Sequence, residues 1–285
     1  MKLICDSGST RASWRGISAD GKVYAWQSEG LHPFFQTEEQ IGQVVRNQLL
    51  SSSGFPDPQV ISEIHFYGAG CANEDRAKPI FQALSNIFSH ADIRIASDLL
   101  GACRGMLHHE QGVAVILGTG CNSALYNGKT ITDNRPSLGY VLGDEGSGAW
   151  IGKELLNAFF YDEMPKDLAQ AFLKEENCAK EFVLEHVYQK PLANRFLAGY
   201  AKFAGRHKDH PFVHRLVVNG FSSFCTKHLL FYSAKNLTVS AVGSIAYHFS
   251  EYWKEALLQS GLTPGNTSES PIEGLVSFHR QDISA

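Results

Sequence analysis

Apolar and polar positions alternate with a period of two in two blocks of the chain, and the stretches that follow each block carry helical spacing. The first block opens with Leu3-Ile4-Cys5, a short apolar strand that breaks into Asp6-Ser-Gly-Ser-Thr10. Ala12–Ile17 and Val23–Trp26 then flank Asp20-Gly21, which predicts a β-hairpin. The second block opens with Val113–Leu117 and breaks into Gly118-Thr119-Gly120-Cys121-Asn122-Ser123. Ala124–Tyr126, the turn Asn127-Gly128 and Lys129–Asp133 predict a second hairpin. Because a hairpin rather than a helix follows the glycines, this is not a dinucleotide-binding fingerprint. Two copies of strand, small-residue loop and hairpin predict an internal duplication, with two phosphate-binding hairpins facing one cleft.

Between the blocks, Thr37-Glu-Glu-Gln40 is a capping box that opens a helix to about Leu50, and Ser51–Pro58 breaks it. Ile64–Tyr67 predicts a strand ending in Gly68-Ala-Gly70 and a polar turn at Asn73-Glu-Asp75. A helix to about Phe88, a strand Ile93–Ala96 and a helix Leu99–Leu107 close the first half. After the second hairpin, Gly146 to about Tyr232 is helical with almost no strand. Val239–Gly243 is the one clear late strand, and Ser244–Phe249 opens a long helix towards Gln259. A polar segment, Pro264–Ser270, precedes an amphipathic helix, Pro271–Phe278, expected to fold back on the first half. The expectation is an α/β protein of two domains. The first is 1–112 joined by the C-terminal helix 271–285; the second, helix-rich, is 113–270.

Composition narrows the partners. With 44 % hydrophobic and 19 % charged residues and a net charge of −4, the chain has bulk for two modest domains and no basic footprint for nucleic acid or an acidic membrane. A small polar ligand is the default. The six cysteines, at 5, 71, 103, 121, 178 and 225, show no C-x-x-C spacing and read as reduced thiols. Met1–Asp6 meets a charge too early for a signal peptide, and no apolar run nears the roughly 20 residues that span a bilayer. The expected location is cytoplasmic.

The small-residue loops suit a nucleotide triphosphate. Gly8, Gly118 and Gly120 let backbone approach phosphates, and Ser9, Thr10 and Thr119 add hydroxyls. Asp6, at the mouth of the first strand, is the expected partner of a magnesium ion. A Walker loop fails at Gly152-Lys153, where Ser147 replaces the first glycine and Glu154 the hydroxyl. Asp98 stands where a strand gives way to a helix. Two accounts of it stay open, a general base for an attacking hydroxyl and a helix N-cap. In Gly143-Asp-Glu-Gly-Ser-Gly148 the acids suit a helix dipole, but the flanking glycines suit a loop shaped around a polyhydroxy ligand. His108-His109 and the trio His207, His210 and His214 read as surface residues. Phe221, Phe224, Phe231 and Tyr232 read as core.

With these residues assembled, the chain resembles the hexokinase–actin ATPase superfamily, and within it the N-acetylglucosamine kinase branch grouped with BadF/BadG ATPase-like proteins. Asp6–Arg11 resembles the first phosphate motif, Gly118–Ser123 the second, Leu142–Ile151 the branch signature and Ala241–Ala246 the adenosine motif. The resemblance implies two ribonuclease-H-like, actin-like ATPase domains, ATP and Mg2+ as cofactors, and γ-phosphate transfer to the 6-hydroxyl of N-acetylglucosamine. Asp98 then matches the base. Gly243 and Ser244 match positions beside adenosine, and Gly70, Asn122 and Asp144 the sugar side. Homodimers are common in the branch. Related sequences often carry asparagine where His32 precedes Pro-Phe-Phe, so the sugar could be glucosamine, N-acetylmuramic acid or another hexose. Two other classes compete: an ATP-hydrolysing activator of a radical dehydratase, and a nucleotide-binding sensor without catalysis.

Overall fold

The computed structural model describes residues 1–8, 10–232 and 237–281. They form two compact units. Unit 1 comprises Met1–Glu110, Gly128–Thr130 and the segment from Ser270; unit 2 comprises Gln111–Asn127 and Ile131–Glu269.

The sheet of unit 1 is built from β1 (Lys2–Ser7), β2 (Arg11–Ile17), β3 (Val23–Glu29), β4 (Glu63–Gly68) and β5 (Asp92–Ser97) in the order β3-β2-β1-β4-β5. β1 pairs antiparallel with β2 and parallel with β4, and β4 is parallel to β5. Unit 2 repeats this plan with β6 (Gln111–Leu117), β7 (Cys121–Asn127), β8 (Ile131–Asp133), β9 (Thr238–Val242) and β10 (Thr263–Ser268), ordered β8-β7-β6-β9-β10. Both sheets therefore read third, second, first, fourth, fifth. The repeat visible in the sequence is a repeat of topology.

The central strand β1 buries both faces, so Leu3, Ile4 and Cys5 are all fully buried. Leu3 and Cys5 face a core with Trp14, Phe66 and Phe88. Alternation sends Ile4 to the other face, where Ile17 and Tyr67 meet Ile272, Leu275 and Val276. The second face is covered by α3 (Asp98–Leu107) and by α13 (Ile272–Gln281), the last helix of the chain. A Cβ on Gly274 would overlap the Gly105 carbonyl, so glycine lets these two helices touch backbone to backbone.

Polar caps set the helix starts. In α1 (Glu38–Val44) the Thr37 Oγ1 accepts the Gln40 N–H at 3.3 Å while the Gln40 side chain accepts the Thr37 N–H at 2.9 Å; a π turn, Val45–Leu50, continues it. Asn73 caps α2 (Glu74–Ser85), so Asn73-Glu-Asp75 is a helix start and not a free turn, and the helix stops before Phe88.

Unit 2 carries α4 (Gly139–Leu142), α5 (Gly148–Phe160), α6 (Lys166–Glu175), α7 (Lys180–Tyr188), α8 (Ala193–Gly199), α9 (Ala201–Arg206) and α10 (Pro211–Phe224) between its third and fourth strands, then α11 (Ser244–His248) and α12 (Ser250–Gln259). The long helix expected from Ser244 is broken at Phe249, whose φ of −113° and ψ of 32° leave the helical region. The polar segment Pro264–Ser270 contains a strand, β10, parallel to β9 with a bulge between Pro264 and Thr267. An outer strand with one neighbour tolerates proline and glycine, which is why its sequence lacks an apolar run. Phe221, Phe224 and Tyr232 are core, but Phe231 is 48 % exposed and lies under the Arg135 guanidinium.

Candidate active site

The site of unit 1 follows from strand direction. β1, β4 and β5 run parallel in a register that pairs Asp6 with Tyr67, Ser7 with Gly68 and Gly68 with Ser97. Asp6, the Gly68–Gly70 turn and Asp98 therefore gather at the carboxyl ends of the strands, where open α/β sheets bind ligands.

Asp98 is the first residue of α3, but the cap is Ser97, whose Oγ accepts the Leu100 N–H at 3.2 Å. The capping duty that could have explained Asp98 is already filled. Its Oδ1 accepts the local Leu99 N–H, at 2.9 Å, and burial pushes its pKa up. Burial pushes Asp6 up further, to about 6; the Ser270 hydroxyl, donating at 2.9 Å, pulls the other way and the Asp98 charge adds to the rise. Two desolvated carboxylates that repel one another favour a divalent cation. Among the described residues no group of three or more His, Cys, Asp or Glu could cage a metal. Magnesium does not need one: it is usually held by one or two carboxylates, phosphate oxygens and waters, and Asp6 fits that role.

The flanking loops are pinned. Gly8 N–H donates to the Arg11 carbonyl at 3.0 Å, closing the turn beside exposed Thr10; Ser9 lies outside the described residues. The buried Ser7 Oγ accepts the Leu31 N–H at 2.9 Å, tying β1 to the His32 loop. There His32 Nδ1 accepts the Phe34 N–H at 3.2 Å, which in the neutral ring puts the proton on Nε2. Gly70, at φ 83°, packs under that ring: a Cβ would lie 2.9 Å from His32 Cε1.

Unit 2 assembles the other half of the expected residues. In the Gly118-Thr119-Gly120 turn the Gly118 N–H donates to the Gly120 carbonyl at 3.0 Å. The turn is gripped from α5, whose Gly148 and Ala149 N–H groups donate to the carbonyls of Gly118 (2.8 Å) and Thr119 (3.0 Å). Among the described residues nothing lies within 4 Å of a Cβ placed on Gly118, leaving room for a ligand. Gly243, at φ 118°, sits where any Cβ would overlap the Leu117 carbonyl, which sets Ser244 and the start of α11 beside the turn. Asp144 holds a left-handed backbone, φ 55°; its Oδ1 accepts from Ser137 Oγ (2.9 Å) and the Cys121 N–H (3.3 Å). A Cβ on Gly120 would lie 2.9 Å from Asp144 Oδ2. Asn122 Oδ1 accepts Nδ2–H of Asn134 at 3.1 Å.

Sequence reasoning missed the ion pair made by the neighbour of Asp144. The next residue, Glu145, has a side chain only 6 % exposed, and it is ion-paired with Lys227, which lies with His228 on a π turn (Cys225–Leu229) following α10. Burial works against the charge of Glu145, yet the Lys227 hydrogen bond leaves its pKa below the usual carboxylate value. Nothing local announces a partner 82 residues away. His207, His210 and His214 do not gather; each has its own carboxylate neighbour, Glu175, Asp167 and Glu255.

Two five-stranded sheets of one strand order, each with a glycine loop where its first strand meets its hairpin, define the fold of the actin-like ATPases and sugar kinases. No family model matches the chain. Among solved structures it is similar to a protein of Porphyromonas gingivalis assigned as an N-acetylglucosamine kinase, with 39 % identity over 99 % of this chain and 100 % of that one and a TM-score of 0.94. The chain belongs to that N-acetylglucosamine kinase family of the actin-like ATPase superfamily. Two more distant likenesses show the shared fold. One is a protein of Chromobacterium violaceum with the same assignment (19 % identity, 97 % and 98 % coverage, TM-score 0.77). The other is a ROK family glucokinase from Streptomyces griseus, in complex with glucose and AMPPNP (12 % identity, 98 % coverage of both, TM-score 0.58).

Proposed function

We propose that the protein transfers the γ-phosphate of ATP to the 6-hydroxyl of N-acetylglucosamine. The observation that carries this reading is Asp98: a desolvated carboxylate at the end of a parallel strand, relieved of helix capping by Ser97. As the sugar O6 bonds to the γ-phosphorus, the bond to the β–γ bridging oxygen breaks, ADP leaves with that electron pair, and the hydroxyl proton passes to Asp98. A raised pKa makes Asp98 a better proton acceptor than an ordinary carboxylate.

Asp6 would hold magnesium, which supplies neutralisation of phosphate charge when bound. Gly8, Thr10 and the Gly118–Gly120 turn face phosphates, and Gly243 and Ser244 line the nucleoside side. His32, Gly70, Asn122 and Asp144 meet the sugar. The family and the duplicated sheets support this assignment. The six cysteines are free and buried, which favours a reducing, cytoplasmic setting over a cluster-bearing activator. Among the described residues no helix is long and apolar enough to cross a membrane.

The test is ADP release from ATP and magnesium over a panel of hexoses and N-acetylhexosamines, with Asp98→Asn alongside. The expected result is release dependent on N-acetylglucosamine that falls about 10²–10⁴-fold in the variant while ATP still binds. Binding of ATP with no stimulation by any sugar would remove the kinase reading and leave the sensor; a preference for glucosamine or N-acetylmuramic acid would reassign the sugar.

A further inference from the structure

Asn134 stands just past β8, and its side chain lies against β7. The β7–β8 ladder ends at the pair Leu125–Asp133, so the chain beyond Asp133 continues beside the opening residues of β7. There the Asn134 side chain takes over from the ladder. Its Nδ2 donates to the Ser123 carbonyl at 2.6 Å and to Asn122 Oδ1 at 3.1 Å, with the Arg135 carbonyl a longer contact at 3.3 Å. The segment is held on its own side as well. The Asn134 N–H donates to Asp133 Oδ1 at 2.8 Å and the Arg135 N–H to the Tyr232 hydroxyl at 2.7 Å, while Pro136 disfavours a helical turn at Arg135.

These bonds decide the polarity of Asn122. Its Oδ1 also accepts the Ser123 N–H, at 2.9 Å, so both lone pairs of that oxygen are engaged. Turning the amide over would set its NH2 against two donors. The Nδ2–H groups therefore stay on the opposite edge, where they meet no acceptor among the described residues. An amide locked in this sense offers a ligand a donor and nothing else. The ligand atom facing it is then an acceptor, such as a hydroxyl oxygen or an acetamido carbonyl. Asparagine suits position 134 because its short amide brings two donors to two acceptors, whereas aspartate would set oxygen against oxygen and serine has one donor.

We propose that Asn134 is a positioning residue: by engaging Asn122 Oδ1 it fixes the Asn122 amide as a hydrogen-bond donor toward the sugar. The inference rests on the assignment of Asn122 to the sugar side in the proposed kinase. Asn134 acts through Asn122 and is assigned no contact with sugar or nucleotide of its own.

Steady-state kinetics and sugar titration of Asn134→Ala and Asn134→Asp test it. The first removes both donors; the second keeps the shape but sets a carboxylate oxygen against Asn122 Oδ1. KM for N-acetylglucosamine should rise about threefold or more in Asn134→Ala and about tenfold or more in Asn134→Asp. KM for ATP in Asn134→Ala should stay within about twofold of the parent. In an Asn122→Ala background, Asn134→Ala should weaken sugar binding by less than about twofold, because the group it orients is gone. Asn134 is exposed, so both variants should fold, which a melting curve checks. Parent-like sugar KM in both variants, or effects that multiply in the double variant, would overturn the role. So would an equal loss of ATP affinity, or of the fold itself, in Asn134→Ala, which would mark a merely structural residue. Failure of the kinase reading shows elsewhere, in a parent that releases no ADP in response to any sugar, and that result would remove this inference with it.

Discussion

Asp6→Asn should stabilise the ligand-free protein at neutral pH while disabling it as a kinase. Burial raises the Asp6 pKa from 3.8 to about 6. A carboxylate whose folded pKa is raised contributes stability that is complete below the unfolded pKa near 3.8 and is lost as pH rises through about 6. At pH 7.5 the ionised side chain therefore costs roughly 3 kcal/mol relative to its protonated form, at 1.36 kcal/mol for each pKa unit. Asparagine has the shape of the neutral acid and can still accept from Ser270. The variant should thus gain about 1.5–3 kcal/mol at pH 7.5, and the gain should fade as pH drops through 6 and be gone near pH 4. Urea unfolding at several pH values measures it, followed by fluorescence; Trp14 and Trp26 report unit 1, and substituting Trp150 and Trp253 by Phe silences unit 2. Magnesium with ATP should narrow the difference by stabilising the parent. A variant less stable than the parent at pH 7.5, or a gain as large at pH 4 as at pH 7.5, would refute the reasoning.

The acid limb of kcat/KM should fall as pH drops through the raised pKa of Asp98, at a pH above the ordinary carboxylate range, and a pH–rate profile that stays flat down to pH 4 would deny Asp98 the role of base. Gly243→Ala should lose about 2–4 kcal/mol of unit 2 stability together with ATP affinity, since it combines a disallowed φ with a clash on Leu117; a melting curve and nucleotide titration check both. Lys227→Met leaves Glu145 buried without its partner and should cost about 1–3 kcal/mol. Adding Glu145→Gln should restore most of that loss, a coupling that a double-mutant cycle reads directly.

The hairpins, the capping box at Thr37 and the strand-end glycines were legible because each is fixed by neighbours within a few residues. β10 was not, since Thr263-Pro-Gly-Asn-Thr-Ser268 owes its strand to pairing with β9 rather than to its own composition. The duplication nonetheless demanded a fifth strand there, because unit 1 has one in that place. In the site, Asp98 could be named from its position but not separated from a cap until the geometry placed Ser97 in that role. The grip of Gly148 and Ala149 on the Gly118–Gly120 turn and the Glu145–Lys227 pair depend on contacts between segments distant in the chain, which no local pattern encodes.

That α13 belongs to unit 1 has a consequence for the order of manufacture. A ribosome finishes all of Gln111–Glu269 before it makes Ile272, so unit 2 can fold while the first unit still lacks its covering helix. Until then the face of Ile4, Ile17 and Tyr67 has no Leu275 or Val276 to meet, and its apolar surface stays exposed. Any message cut short before α13 would yield unit 2 tethered to a unit 1 with this apolar face uncovered. Helix α13 thereby acts as a seal: only a chain translated through that helix can hide the face of Ile4, Ile17 and Tyr67.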